Sequence, residues 1–256
     1  MSVLDGIVAR TAVELERRRR RVPLATLERD VKPSPRSLSE ALRADGVGLI
    51  AEFKPRSPSR GEIRPGARPA QIVPIYDRYA SAMSVLVDRP HFGGGYDVLA
   101  EARALTERPI LAKGFFVSRY QVVEARAAGA DAVLLMASVL DDDVLVALYE
   151  DARALGMEAL VEVHDDDELE RVLALDVAIV GVNARDLSTL QIDLEAMLRR
   201  LDRVPAERVR VAESGVSEAQ QVAGLRGRAD AVLMGTALMA APNVEEKIRE
   251  LGWACA

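Results

Sequence analysis

Apolar residues gather along this chain in short runs of strand length: Val47–Phe53, Met83–Val87, Ile110–Ala112, Ala132–Met136, Ala159–Val163, Ala178–Val182, Val209–Ala212 and Ala231–Met234. Between them the apolar positions take up the three-and-four rhythm of amphipathic helices. Those segments are Pro69–Ala80, Tyr96–Leu105, Ser118–Ala128, Asp143–Leu155, Asp166–Leu175, Leu194–Leu201, Ser217–Leu225 and Val244–Leu251. Near-continuous apolar strands alternating with helices predict a parallel sheet with helices covering it. Local chemistry agrees with the rhythm. Ser118 with Gln121, and Ser217 with Gln220, have capping-box spacing, and Gly129 and Gly156 fall where a helix closes on a left-handed residue. The strand–helix units fill about 210 residues, the usual size of a closed barrel of eight such units. A doubly wound open sheet competes, but no G-x-G-x-x-G follows the first strand. The expected fold class is α/β, a (β/α)8 TIM barrel.

The residues before the first strand read differently. Residues 1–46 are helical in pattern, broken at Pro23, Pro33 and Pro35, with Ser37–Arg43 as a short second helix and no strand candidate. They are expected to form a helical N-terminal extension of one barrel domain spanning 1–256.

Composition narrows the function classes. With 49% hydrophobic and 29% charged residues in 256, the chain can bury a large core. No apolar run approaches the roughly twenty residues that cross a bilayer, and Met1–Arg10 lacks signal-peptide character. A cytoplasmic location and no membrane partner are therefore expected. The single cysteine, Cys255, excludes a disulfide scaffold, and His91 and His164 are too few and too scattered for a metal site. A net charge of −6 argues against a nucleic-acid partner. The basic run Arg17–Arg21 follows the helical segment Val3–Leu15, where cations suit the negative end of the helix dipole.

In such barrels the active site forms at the carboxyl ends of the strands. There the chain places Glu52 and Lys54, two apart and so on one face, then Lys113, then Glu162 between apolar neighbours. Asn183 and Arg185 follow the sixth strand, Glu213-Ser214-Gly215 end the seventh, and Gly235-Thr236 end the eighth. A carboxylate in an apolar strand is disfavoured unless paired or functional. An ammonium can donate a proton, a carboxylate can accept one, and a second lysine with an arginine can hold anions. The glycine turns after the last two strands, with a short helix starting near Ala237, suit a phosphate. Residue types alone thus point to a phosphorylated small molecule with a second anionic group.

The motifs Glu52-Phe53-Lys54-Pro55-Arg56-Ser57-Pro58-Ser59-Arg60-Gly61, Lys113-Gly114-Phe115, Leu160-Val161-Glu162-Val163, Val182-Asn183-Ala184-Arg185-Asp186-Leu187 and Ala212-Glu213-Ser214-Gly215 together resemble indole-3-glycerol phosphate synthase, over essentially the whole chain. The resemblance implies cyclisation of 1-(2-carboxyphenylamino)-1-deoxyribulose 5-phosphate with loss of carbon dioxide and water, in tryptophan biosynthesis, without cofactor or metal. It implies Lys113 as general acid and Glu162 as general base, with Lys54 holding anionic groups beside Glu52 and Glu213. Ser57, Phe115, Asn183 and Arg185 would surround the anthranilate portion and sugar hydroxyls, and Ser214, Gly215, Gly235 and Thr236 the phosphate. A monomer or weak homo-oligomer is expected. Two positions depart from the family pattern: Gly114 stands where Asp is usual, and Val87 where Thr is common. Strand alternation points residue 114 away from Lys113, so the change is expected to affect loop support rather than the acid. The competing readings are another phosphate-binding barrel enzyme, such as a phosphoribosyl isomerase, and a catalytically idle barrel acting as a binding subunit. The first generally lacks an N-terminal extension and uses Cys or Asp. The second is opposed by the joint presence of Lys54, Lys113 and Glu162.

Overall fold

The computed structural model describes residues 3–43, 46–186 and 189–255. Residues 1, 2, 44 and 45 of the expected extension, and Leu187 of the sixth strand-end motif, lie outside them. Eight parallel strands close into a barrel in chain order: Gly48–Phe53, Ala82–Leu86, Ile110–Lys113, Ala132–Met136, Glu158–Val163, Ile179–Asn183, Val209–Glu213 and Ala231–Met234. The first strand closes the ring, pairing Leu49 with Val232 of the eighth and Glu52 with Ser84 of the second. Alternate residues of each strand point inward. Ile50, Leu111, Leu134, Leu160, Ile179 and Leu233 fill the barrel interior, while the opposite parity packs beneath the helices.

The capping expectations hold in part. Ser118 caps its helix by accepting from the Tyr120 amide, but Gln121 reaches back one residue further, to the Val117 amide at 2.9 Å. In the seventh unit the reciprocal box is Glu218 with Gln221, one residue beyond the expected pair Ser217 and Gln220. There the Gln221 carboxamide accepts from both the Ser217 and Glu218 amides, and this sets the later register. Gly129 and Gly156 adopt φ of 100° and 67°, as expected of helix ends.

The extension is integral to the barrel. Helix α1 (Val3–Arg21) runs on through the basic run. Arg17 and Arg19 pair with Glu14 and Glu16 one turn earlier, and Arg18 pairs with Glu124 at 2.9 Å while stacking over Tyr96. Helix α2 (Leu24–Glu28) follows, and α3 (Leu38–Leu42), capped by Ser37, inserts Leu38 and Leu42 into the interior cluster, sealing the barrel's amino-terminal end. At the same end the fully buried Asp131 accepts from Ser34, Arg103 and the Ile110 amide, tying the extension to the third and fourth strands. Among the described residues, no helix is long and apolar enough to cross a membrane.

Candidate active site

The carboxyl ends of the strands surround a cavity of about 200 Å³, and every candidate site residue lines it: Glu52, Lys54, Ser57, Lys113, Phe115, Glu162, Asn183, Arg185, Glu213, Ser214, Gly215, Gly235 and Thr236. Their convergence follows from parity. Glu52, Lys113, Glu162, Asn183 and Glu213 all occupy inward positions in the last two residues of their strands. Five separate strands therefore deliver their polar groups to one layer above the apolar interior.

Lys113 is the centre of that layer. Its ammonium lies 3.0 Å from Glu162 Oε2 and also bonds Glu213 Oε2, with both carboxylates almost wholly buried. Burial alone would lower the lysine pKa, but the charges of Glu162, Glu213 and Glu52 overcome it, so the ammonium is held firmly protonated. The two carboxylates diverge. Burial and the neighbouring Glu162 charge push Glu213 up to about 8 against the pull of Lys113. Glu162 is also penalised by burial, yet Lys113 and then His164 hold it well below the usual carboxylate range. Two acids this close titrate as a unit, and the first proton taken up belongs on the Glu213 side. Lys54 and Glu52 form a second ion pair on the first strand.

Two glycines make room for these acids. A Cβ on Gly181 would overlap Glu213 Oε1, and one on Gly235 would overlap Glu52 Oε2. Any larger residue at either inward position would evict a carboxylate from its seat. Asn183 Oδ1 accepts from the Arg185 amide at 2.9 Å, and the Arg185 guanidinium donates to the Leu190 carbonyl at 3.0 Å. Burial, then the neighbouring Arg60, lower the Arg185 pKa, so an anion would be welcome beside it. The loop after the first strand folds back on itself, with Ser57 pairing Gly61 in a two-residue ladder and its hydroxyl accepting from the Arg60 amide. Ser214 and Gly215 both take left-handed backbone, φ 65° and 81°, in the turn after the seventh strand, and Ser214 pays about 1–3 kcal/mol of strain for it. The four-residue helix Thr236–Met239 starts directly after Gly235, and Arg64 holds its end through the Met239 carbonyl.

Several lining residues escaped sequence reasoning. Leu4 and Ile7 of α1 form part of the wall, so the extension helps to close the site. Leu134, Met136, Phe92 and Leu190 add apolar surface to the lining, with the Phe92 and Phe115 rings 6.3 Å apart. Such a surface suits an aromatic ring. The parity of the fourth strand was a usable signal for Leu134 and Met136; Phe92 sits in a four-residue helix, Arg89–Phe92, too short to show periodicity.

The two departures from the family pattern touch each other. A Cβ on Gly114 would lie 2.7 Å from Val87 Cγ2, and the Val87 amide bonds the Lys113 carbonyl. Gly114→Asp alone is expected to destabilise the fold by about 1–3 kcal/mol, through overpacking and a carboxylate set against a methyl. Val87→Thr added to it should recover part of that loss by offering a hydroxyl. Thermal or urea unfolding of the two single variants and the double measures the coupling; strictly additive changes would show that the positions act independently.

Comparison with known proteins agrees with this geometry. The sequence profile of the indole-3-glycerol phosphate synthase family matches residues 4–251. An indole-3-glycerol phosphate synthase of Nocardioides sp. (strain ATCC BAA-499 / JS614) is 47% identical, the alignment covering 98% of each chain. One of Roseiflexus sp. (strain RS-1) is 41% identical over 98% of each. Among solved structures, 3-hexulose-6-phosphate synthase from Salmonella typhimurium superposes with TM-score 0.64 at 14% identity, over 80% of this chain and 96% of that one. A mutant tryptophan synthase alpha-subunit from Pyrococcus furiosus superposes with TM-score 0.61 at 19% identity, over 80% and 97%. The structural likenesses show the barrel alone. The sequence matches run through the extension as well as the barrel, and they set aside the isomerase reading: the chain belongs to the indole-3-glycerol phosphate synthase family.

Proposed function

We propose that Lys113 is the general acid and Glu162 the general base of the family's reaction in this chain. The activity itself, that of a carboxy-lyase forming indole-3-glycerol phosphate in tryptophan biosynthesis, follows from family membership. The substrate is read as 1-(2-carboxyphenylamino)-1-deoxyribulose 5-phosphate. The observation that carries the assignment of roles is the Lys113 ammonium, buried against Glu162 and Glu213 at the floor of a cavity with cations and glycine turns at its rim.

On this reading the ring carbon bearing the carboxylate attacks the ketose carbonyl while Lys113 gives its proton to the carbonyl oxygen. The cyclised ring carries positive charge beside the carboxylate, and carbon dioxide leaves with the electron pair returning to the ring. Once Lys113 has regained a proton from solvent it protonates the new hydroxyl, which departs as water, and Glu162 removes a proton from the carbon beside the ring nitrogen to complete the indole. Lys54 and Arg185 hold the anthranilate carboxylate, with Ser57 and Asn183 on the sugar hydroxyls and Phe115 against the ring. The turns at Ser214-Gly215 and Gly235-Thr236 take the phosphate. Glu52 keeps Lys54 in place. The protein is further read as cytoplasmic, a monomer or weak homo-oligomer, and one domain with 1–46 as its extension.

Lys54→Met tests the anion-holding role. Removing a charge-assisted contact costs about 1.5–3 kcal/mol, so KM should rise at least about tenfold, with a smaller fall in kcat. Steady-state kinetics read by indole fluorescence measure both. An unchanged KM would move the carboxylate contact away from Lys54.

A further inference from the structure

His164 follows the fifth strand directly and lies outside the cavity lining, yet its side chain is 8% exposed. Its Nε2 lies 3.1 Å from Glu162 Oε1, and its Nδ1 lies 3.3 Å from Glu168 Oε2 on helix Asp166–Leu173, whose carboxylate also accepts from the His164 amide at 2.7 Å. An ionised carboxylate only accepts, so Nδ1 facing Glu168 carries a proton, and a second proton on Nε2 sets positive charge against Glu162. The Nε2 contact is off the hydrogen-bond axis and acts through charge. Lys113 touches both Glu162 and Glu213 and cannot by itself distinguish them. Of the two carboxylates at Lys113 the imidazolium touches Glu162 and not Glu213, whose Oε1 is buried against Gly181 with no hydrogen-bond partner among the described residues.

We propose that His164 is a positioning residue that keeps Glu162 the ionised member of the pair facing Lys113, so that the proton the pair takes up resides on Glu213. This rests on the reading of Glu162 as the base. Burial alone would lower the histidine pKa, but contact with Glu162 and Glu168 raises it to about 10, so the ring is cationic across the neutral range. The other charged groups of this layer are Lys113 from the third strand and Glu213 from the seventh, which act on Glu162, and Glu52 with Lys54 from the first, of which Glu52 acts on Lys113.

The test is the pH dependence of kcat for wild type, His164→Leu and Glu168→Gln, with thermal unfolding run on each. Without the imidazolium the base should gain its proton more readily. The acid limb of His164→Leu should therefore move up by about one pH unit, a tenfold change in proton affinity, with kcat near neutrality down about tenfold and KM within about twofold. In Glu168→Gln the ring loses one of its two anions and deprotonates earlier, so the acid limb should stay and an alkaline fall should appear at lower pH than in wild type. This second variant leaves the barrel wall intact and carries the test if His164→Leu fails to fold. Profiles that superpose on wild type after scaling, in the folded variants, overturn the proposal. Failure of the underlying reading looks different: Glu162→Gln would then turn over at near-native rate.

Discussion

Lys113→Met is expected to lower kcat at least about a hundredfold, the usual scale for lost acid–base catalysis, with folding retained. A hundredfold corresponds to about 2.7 kcal/mol of transition-state stabilisation. Methionine keeps the length and apolar stem of the side chain, so the loss isolates the ammonium rather than its packing. That ammonium is the proton donor nearest both acids, and its replacement leaves Glu162 and Glu213 facing each other without their shared cation. Glu213 then takes up a proton, which spares the fold most of the repulsion while Glu162 stays ionised beside His164. Substrate contacts at the rim are untouched, so KM should change little. Single-turnover measurement of indole formation separates the chemical step from product release. A variant with near-native kcat and raised KM would make Lys113 a binding group instead of an acid.

The barrel was legible because its strands are buried on both faces and its helices on one, so two periods alternate along the chain. The expected strand ends lie within about one residue of those found. The site was legible for the same reason: inward parity at the carboxyl ends selects Glu52, Lys113, Glu162, Asn183 and Glu213 without knowledge of their partners. What escaped depends on which surfaces meet. The rhythm of Val3–Leu15 shows a helix but not that Leu4 and Ile7 close the cavity. The inward glycines at 181 and 235 are visible by parity, whereas the carboxylates they accommodate come from other strands. Gly114 and Val87 looked like two separate departures because they lie far apart in the chain, and only the pairing of the second and third strands brings them together. In the sequence His164 carries no signal of its own beyond being too isolated to ligate a metal. Its partners were nonetheless encoded nearby, Glu162 two residues before it in the strand and Glu168 four after it across the junction to the next helix.

Glu162→Gln is the companion to the lysine change and should also lower kcat at least about a hundredfold. Glutamine keeps the shape and can still accept from Lys113 at 3.0 Å, but it cannot take a proton. Nor does it balance the two cations, Lys113 and His164, that the glutamate faces. The variant therefore leaves positive charge buried and underpaired. Glu213 should compensate by staying ionised to lower pH than its wild-type value of about 8, because its acidic neighbour is gone while Lys113 remains. The same substitution at Glu213 removes a group that carries the pair's proton near neutrality, and glutamine imitates its protonated form, so Glu213→Gln should cost less than Glu162→Gln. Comparing kcat of the two variants across pH 6 to 9 tests this asymmetry. Equal losses at every pH would mean that the carboxylates share the base role, and a greater loss at Glu213 would exchange their assignments.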